Sequence, residues 1–200
     1  MQIWEQCVDY NKIKFTTEKR ERGQRSQIVY CHEICAFDIE TTRIVETDNS
    51  FMYVWQFSID NKVVIMGRTW EQFLHMCGEL VKAAQGRHIM VFVHNLSYEF
   101  QFLTGIYSFN NDEVFAMESR SILHCCMFGC LDFRCAYKLS NLSLEAFTGR
   151  YNCNYRKRSG ADFDYSVFRT PTTNLTHKEL LYCVYDVLGL VEAVRALVTL

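Results

Sequence analysis

A buried strand that contains two acids organises this sequence: Ile34-Cys35-Ala36-Phe37-Asp38-Ile39-Glu40-Thr41-Thr42. Alternate residues of a strand share a face, so we expect Asp38 and Glu40 to point the same way. Two neighbouring carboxylates in an apolar strand repel each other and lose hydration unless protons or cations neutralise them. Oxygen ligands of this kind suit hard divalent cations. An isolated Asp-x-Glu pattern is nevertheless more often a strand end whose acids lie in solvent.

A second acid follows a second apolar strand. Residues 87–95 predict a buried strand that ends in a turn, and the amphipathic pattern after it places Glu99 in the first turn of a helix. Active sites of open sheets lie at such strand ends. Taken alone, Glu99 is better explained as an acid that is favourably placed at a helix N-terminus.

A third acid lies on a predicted C-terminal helix. The segment Thr176-His177-Lys178-Glu179 has the Thr-x-x-Glu form of a capping box, and apolar residues follow it at helical spacing as far as Val191. Tyr182 and Asp186 are one turn apart on the same face of that helix. Asp186 is therefore either a metal ligand with a phenol beside it or a buried acid that the Tyr182 hydroxyl satisfies.

The order of these motifs resembles the three exonuclease motifs of the DEDD superfamily in its tyrosine-bearing form, since Leu181 stands where the other subtype has His. The closer resemblance is to the proofreading 3′–5′ exonuclease domain of protein-primed family B DNA polymerases of phages and plasmids. It spans about residues 30 to 195, through Phe37–Thr42, His94–Glu99 and Tyr182–Asp186. The chain departs from that family at Glu99, where Asp is usual, and this leaves the geometry of a second metal position open.

The resemblance implies a metal-dependent 3′–5′ exonuclease, a two-metal phosphodiester hydrolase that forms part of a DNA-directed DNA polymerase. It assigns the metal-ligand role for two divalent ions, Mg²⁺ or Mn²⁺, to Asp38, Glu40, Glu99 and Asp186, and makes Tyr182 the residue that orients the attacking water. The product would be a nucleoside monophosphate. The fold implied is a ribonuclease H-like α/β fold with a mixed central sheet and flanking helices.

The same resemblance implies contacts with nucleic acid. Residues at the positions of Thr41, His94, Asn95 and Tyr98 contact the 3′-terminal nucleotides in that branch. The protein-primed polymerases that the chain resembles have a catalytic lysine shortly before an Asp-x-Asp-Tyr-like stretch. In this sequence Lys157 or Arg158, which precede residues 162–165, matches that lysine. The partners implied are the 3′ end of single-stranded DNA, the polymerase domain of the same parent chain and a terminal protein. Core positions are favoured over a base-stacking role for three further residues, Phe133, Tyr137 and Leu139.

Length and composition fit one exonuclease domain over residues 1–200. Two hundred residues with 49% hydrophobic content can bury a sizeable core, and the net charge of −2 agrees only loosely with a nucleic-acid partner. No segment has the pattern of a membrane span or a signal peptide. The chain ends inside an apolar helical pattern without a stop signal, so we expect it to be the N-terminal part of a longer polymerase.

Two alternatives remain open at this point. One is a freestanding 3′–5′ exonuclease of the same fold that acts on DNA or RNA. The other is a catalytically weak module that binds single strands. Retention of Asp38, Glu40, Tyr182 and Asp186 together argues against the second alternative, whereas Glu99 keeps it open.

The ten cysteines favour a reduced protein. Their spacing is irregular and includes no Cys-x-x-Cys pair, which argues against a disulfide framework or a zinc motif. Many lie in apolar runs, where a thiol behaves as a small hydrophobic side chain. We therefore expect a reducing cytoplasm, that of the bacterial host of a phage, plasmid or mobile element.

Hydrophobic periodicity predicts three leading strands at about 32–42, 51–59 and 62–68, followed by alternating elements. These are a helix over 70–84, a strand over 88–94, a helix from Ser97, a strand pair near 121–137, and helices near 143–148 and 177–198.

Overall fold

The computed structural model describes residues 2–17, 28–118, 120–156 and 163–199. These residues form a mixed sheet of eight strands with helices on both faces. The strands are β1 (Gln2–Trp4), β2 (Tyr30–Ile44), β3 (Asn49–Ile59), β4 (Val63–Gly67), β5 (His88–Val93), β6 (Val114–Ala116), β7 (Ile122–Met127) and β8 (Leu131–Cys135). The helices are α1 (Trp70–Ala84), α2 (Leu96–Leu103), α3 (Ala136–Ser140), α4 (Leu144–Arg150) and α5 (His177–Val198).

The long strand β2 lies at the centre of the sheet. It pairs antiparallel with β3 and parallel with β5, in the sheet order β1-β4-β3-β2-β5-β8-β7-β6. Its side chains alternate as the sequence predicts, because Cys35 and Phe37 lie in the core on one face whereas Ile34 and Ala36 lie in the core on the other. Asp38 and Glu40 follow Ile34 and Ala36 at alternate positions and therefore lie on the same face of the sheet as those two residues.

Helices cover both faces of the sheet. Helices α1 and α2 pack on the face of Phe37, and helices α4 and α5 pack on the face of Ala36. The predicted capping box at the start of α5 is confirmed, since Thr176 and Glu179 each bond the other's backbone N–H. Among the described helices none is long and apolar enough to cross a membrane.

Helix α5 reaches its position through a close approach at Gly189. A Cβ at this residue would collide with the carbonyl oxygen of Tyr155, in the segment that follows α4. Only glycine therefore allows α5 to lie this near that segment.

The α/β fold class is confirmed, and the elements predicted from periodicity begin and end within two residues of the observed bounds. The sequence did not predict β1, β6 or α3, because elements of three to five residues carry too few positions to establish a period. The core prediction is confirmed for Phe133. It is wrong for Tyr137 and Leu139, which are 40% and 53% exposed, because both lie on α3, where Ala136 is the buried position.

Candidate metal centre

Two of the predicted acids stand side by side on β2. Glu40 is buried and Asp38 is half-buried, and both line one cleft on the α5 face of the sheet. Gln56, directly opposite Asp38 on β3, donates a hydrogen bond from Nε2 to Asp38 Oδ2 at 2.6 Å. This bond fixes the direction in which the Asp38 carboxylate points.

Helix α5 brings a third acid to the same cleft. Asp186 is buried, and Asp38, Glu40 and Asp186 each offer a carboxylate oxygen within 4.8 Å of the other two. Three carboxylates this close together repel one another strongly in a partly dehydrated site. A divalent cation with oxygen ligands removes that repulsion, so the donor set fits such an ion.

Helix α2 brings a fourth acid from the opposite layer. Glu99 lies in the first turn of α2, directly after β5, and is 4% exposed. Its Oε2 is buried and accepts no hydrogen bond from any described residue. Burial, followed by the charge of Asp38, raises the pKa of Glu99 well above its ordinary value. A buried carboxylate oxygen without a donor beside it suits a cation.

The cleft that these acids share has a volume of about 330 Å³. Its lining comprises Asp38, Ile39, Glu40, Thr41, Tyr98, Glu99, Tyr165 and Asp186. Within the described residues no Lys, Arg or His lines it. The described lining thus offers carboxylate and hydroxyl oxygens, a donor set that favours cations.

The predicted tyrosine lies behind the cleft wall. Tyr182 is 1% exposed, and its hydroxyl lies 2.9 Å from that of Tyr165, which lines the cleft. Burial, with the nearby charge of Asp186, raises the pKa of Tyr182 above its ordinary value. Of these two tyrosines, Tyr165 is the one that lines the cleft, and sequence reasoning did not select it as a site residue. Its only signal was its place in the Asp-x-Asp-Tyr stretch.

A buried arginine holds the loop that carries Tyr165. Arg169 Nη1 donates to the carbonyl oxygen of Asp164 at 2.6 Å, and Arg169 Nε donates to Glu179 Oε1 at 2.9 Å. Arg169 is 4% exposed, and its guanidinium also lies over the ring of Phe163. The loop is therefore tied to the first turn of α5, the helix that carries Asp186.

The predicted nucleic-acid contacts divide into two groups. Thr41 and Tyr98 line the cleft, and their hydroxyl oxygens are 2.5 Å apart. His94 and Asn95 follow β5 but are not among the cleft-lining residues. The ring of His94 packs edge-on against Tyr137, and the side chain of Asn95 is exposed. The other predicted contacts, Lys157 and Arg158, lie outside the described residues.

The fold and the acidic cleft together define an α/β protein with a mixed sheet and a candidate centre for divalent metals. Solved structures with the same fold include phi29 DNA polymerase complexed with primer-template DNA and incoming nucleotides, with a TM-score of 0.65 and 14% identity. They also include the phi29 enzyme complexed with single-stranded DNA, with a TM-score of 0.63 and 13% identity. Both alignments cover 81% of this chain and 30% of the polymerase. No protein-family model and no curated protein matches the sequence.

Proposed function

We propose that the chain is a metal-dependent 3′–5′ exonuclease that removes nucleoside monophosphates from the 3′ end of single-stranded DNA. The observation that carries this proposal is the convergence of Asp38, Glu40 and Asp186, with donor oxygens within 4.8 Å of one another, in a cleft that Glu99 also lines. Four acids from β2, α2 and α5 meet there although they are far apart in sequence. Their order along the chain is that of the exonuclease motifs described above.

The four carboxylates would hold two divalent ions, Mg²⁺ or Mn²⁺. Bound ions of this kind supply a water of lowered pKa and stabilise the charge that develops on a phosphodiester. Gln56 holds Asp38 in place, while Tyr165 presents a hydroxyl at the cleft wall. We assign Tyr182 a role in orienting the attacking water, exerted through its hydrogen bond with Tyr165.

A single strand fits this cleft better than a duplex. The end of a paired strand must separate before its last phosphodiester reaches acids that lie in a recess. Tyr98 is 38% exposed at the rim and offers a ring on which a base can stack, with Thr41 beside it. We propose that His94 and Asn95 contact the next nucleotide. The matched phi29 structures, which are complexes with DNA, support DNA as the substrate.

We further propose a proofreading role beside a protein-primed family B polymerase domain, with a terminal protein as a further partner. The match to about 30% of each phi29 polymerase chain supports this arrangement, since an exonuclease unit of this size is a minor part of such an enzyme. In this proposal the polymerase domain supplies the frayed 3′ end that the cleft receives.

The test is digestion of a 5′-labelled oligonucleotide, single-stranded or with a paired 3′ end, in Mg²⁺ or Mn²⁺. Wild type is compared with Asp38→Asn/Glu40→Gln, whose side chains keep their shape but lose their charge. The control is Glu46→Gln/Glu118→Gln, which changes two exposed acids outside the cleft. Because the ions contribute several kcal/mol to the transition state, we expect the first variant to lose at least about a thousandfold in rate.

The expected products are a ladder that shortens stepwise from the 3′ end and free nucleoside monophosphates, formed faster from the single strand. The control variant should match wild type. If wild type leaves the strand intact with both metals but still binds it, the exonuclease proposal fails and the cleft belongs to a binding module. Faster digestion of RNA than of DNA would overturn the assigned substrate.

A further inference from the structure

A second cluster of polar side chains lies on the α5 face of the sheet, away from the acidic cleft. Four adjacent strands contribute to it, since β2, β5, β8 and β7 are neighbours in that order. Strand pairing places Tyr30 beside His88, and Cys126 opposite Asp132. His124 lies two residues before Cys126 and therefore on the same face.

The carboxylate of Asp132 is the centre of this cluster. Its Oδ1 lies 3.3 Å from His88 Nδ1 and 3.5 Å from His124 Nε2. Its Oδ2 accepts a hydrogen bond from the Tyr30 hydroxyl at 2.7 Å, and Arg134 Nη2 lies 3.7 Å from it. One oxygen therefore faces two imidazoles, whereas the other is held by a phenol and a guanidinium.

The spacing of the donor atoms identifies a ligand class. Hydrogen bonds from N–H to oxygen are usually about 2.9–3.0 Å long, so 3.3 and 3.5 Å are long for direct bonds. Ligands of one tetrahedral zinc ion, bound at about 2.0–2.3 Å, lie roughly 3.3–3.7 Å from one another. A sulfur donor is also present, because Cys126 Sγ, a His88 ring nitrogen and an Asp132 oxygen lie within 4.8 Å of one another.

We propose that His88, Cys126 and Asp132, whose donor atoms lie within 4.8 Å of one another, bind zinc. His124, whose Nε2 lies 3.5 Å from Asp132 Oδ1, completes the proposed site. Two imidazoles, a thiolate and a carboxylate are the donors that zinc prefers, whereas Mg²⁺ and Mn²⁺ prefer the all-oxygen set of the cleft. Tyr30 and Arg134 fix the second oxygen of Asp132, as outer partners of metal ligands commonly do. An ion here links strands β5, β7 and β8.

Access to the site is open. A cavity of about 660 Å³ borders the cluster and is lined on its other sides by apolar and basic side chains, among them Met90, Leu139 and Lys138. The Asp132 carboxylate is 5% exposed, and the imidazole of His124 is 33% exposed. The donors are thus sheltered, but an ion reaches them from the cavity side.

Cobalt provides the decisive readout because a thiolate ligand gives Co²⁺ an intense near-ultraviolet charge-transfer band that carboxylates do not produce. A thiolate signal therefore reports a bound metal with a cysteine among its ligands. The whole chain is titrated with Co²⁺ and then with Zn²⁺. We expect the charge-transfer band to saturate at one equivalent of Co²⁺ and to disappear when Zn²⁺ displaces the bound cobalt.

Variants locate the site. Cys126→Ser and His124→Asn should abolish or strongly weaken the band, and Tyr30→Phe should weaken zinc binding by roughly 10- to 100-fold. The exposed residues Cys7 and His177 supply the controls, so Cys7→Ser and His177→Asn should keep the band, as should Asp38→Asn/Glu40→Gln.

His124→Asn alters a partly exposed side chain and so keeps the test informative if Cys126→Ser fails to fold. If wild type gives no band, or the band survives His124→Asn and Cys126→Ser, the cluster is a hydrogen-bond network around Asp132 and the proposal is wrong.

Discussion

At the scale of single residues, Glu99 is a deeply buried acid, with 4% of its surface exposed. An ionised carboxylate is destabilised there by burial and by the charge of Asp38, which is why its pKa is raised. The unfolded chain gives a glutamate a pKa of about 4.3. As pH rises above that value the unfolded state loses this proton before the folded state does, so the folded, metal-free protein loses stability until the pH passes the folded pKa.

Glu99→Gln should remove this pH dependence. We expect the free energy of unfolding of the metal-free variant to exceed that of wild type by an amount that grows between pH 5 and pH 8. The reason is that wild type loses stability as pH rises through this range, whereas glutamine has no proton to lose. Urea unfolding in the presence of a chelator measures the difference. A gap that is constant across this range would mean that Glu99 titrates normally.

The pair of hydroxyls formed by Tyr165 and Tyr182 gives a second residue-scale prediction. If Tyr182 acts on the cleft through Tyr165, either single substitution by Phe breaks the same interaction. Each single substitution should raise the activation barrier of strand digestion by about 1–3 kcal/mol, which lowers the rate roughly 5- to 150-fold. The double variant should be no slower than either single variant. Independent roles would instead make the two losses multiply.

Residue-scale prediction from sequence worked where a regular period fixed the direction of a side chain. Strand alternation placed Asp38 and Glu40 on one face, and the structure puts them in one cleft. Tyr165 lies in an irregular loop whose course depends on Arg169 and its bonds to Asp164 and Glu179. No local period describes such a loop, so its phenol could not be assigned to the cleft in advance.

At the scale of elements, the site depends on how closely α5 packs. Asp186 lies one turn before Gly189, the residue at which α5 approaches the carbonyl oxygen of Tyr155. A shift of α5 at this point would move Asp186 relative to the acids of β2. The element boundaries were predictable from capping and periodicity, but this close approach was not, because Tyr155 and Gly189 are brought together by tertiary packing.

Gly189→Ala should therefore destabilise the protein by about 1–3 kcal/mol, the usual cost of overpacking, and lower the rate of digestion as well. The matched control is Gly78→Ala in α1, where an added Cβ meets nothing within 4 Å. At Gly78 the gain in helix propensity should stabilise the protein by about 0.5–1 kcal/mol without changing the rate of digestion. Chemical unfolding and digestion assays on the same samples compare the two. Equal stability changes would show that α5 tolerates the displacement.

At the scale of the whole molecule, the sequence specified the sheet better than the sites assembled across it. Long strands and helices carry a hydrophobic period, which is why the α/β architecture could be predicted. Sequence spacing argued against a zinc motif because no Cys-x-x-Cys pair occurs. His88, Cys126 and Asp132 come together from three strands, and linear spacing contains no information about such a cluster.

The acidic cleft joins three layers of the molecule, since β2 lies in the sheet, α5 covers one face and α2 covers the other. The first of the two ions bound among Asp38, Glu40, Glu99 and Asp186 binds the folded state alone, so it should stabilise the whole domain. At a hundredfold excess over its dissociation constant, Mn²⁺ should add about 2.7 kcal/mol, which corresponds to a rise in Tm of about 5–10 °C for a domain of this size.

Thermal unfolding with and without Mn²⁺ checks this expectation. Asp38→Asn/Glu40→Gln should lose the rise in Tm, and its metal-free form should be at least as stable as metal-free wild type because two of the repelling charges are gone. His88→Asn alters the other cluster and should keep the rise. If Mn²⁺ stabilises wild type and the double variant equally, the ion binds elsewhere, and the four acids do not form the metal centre.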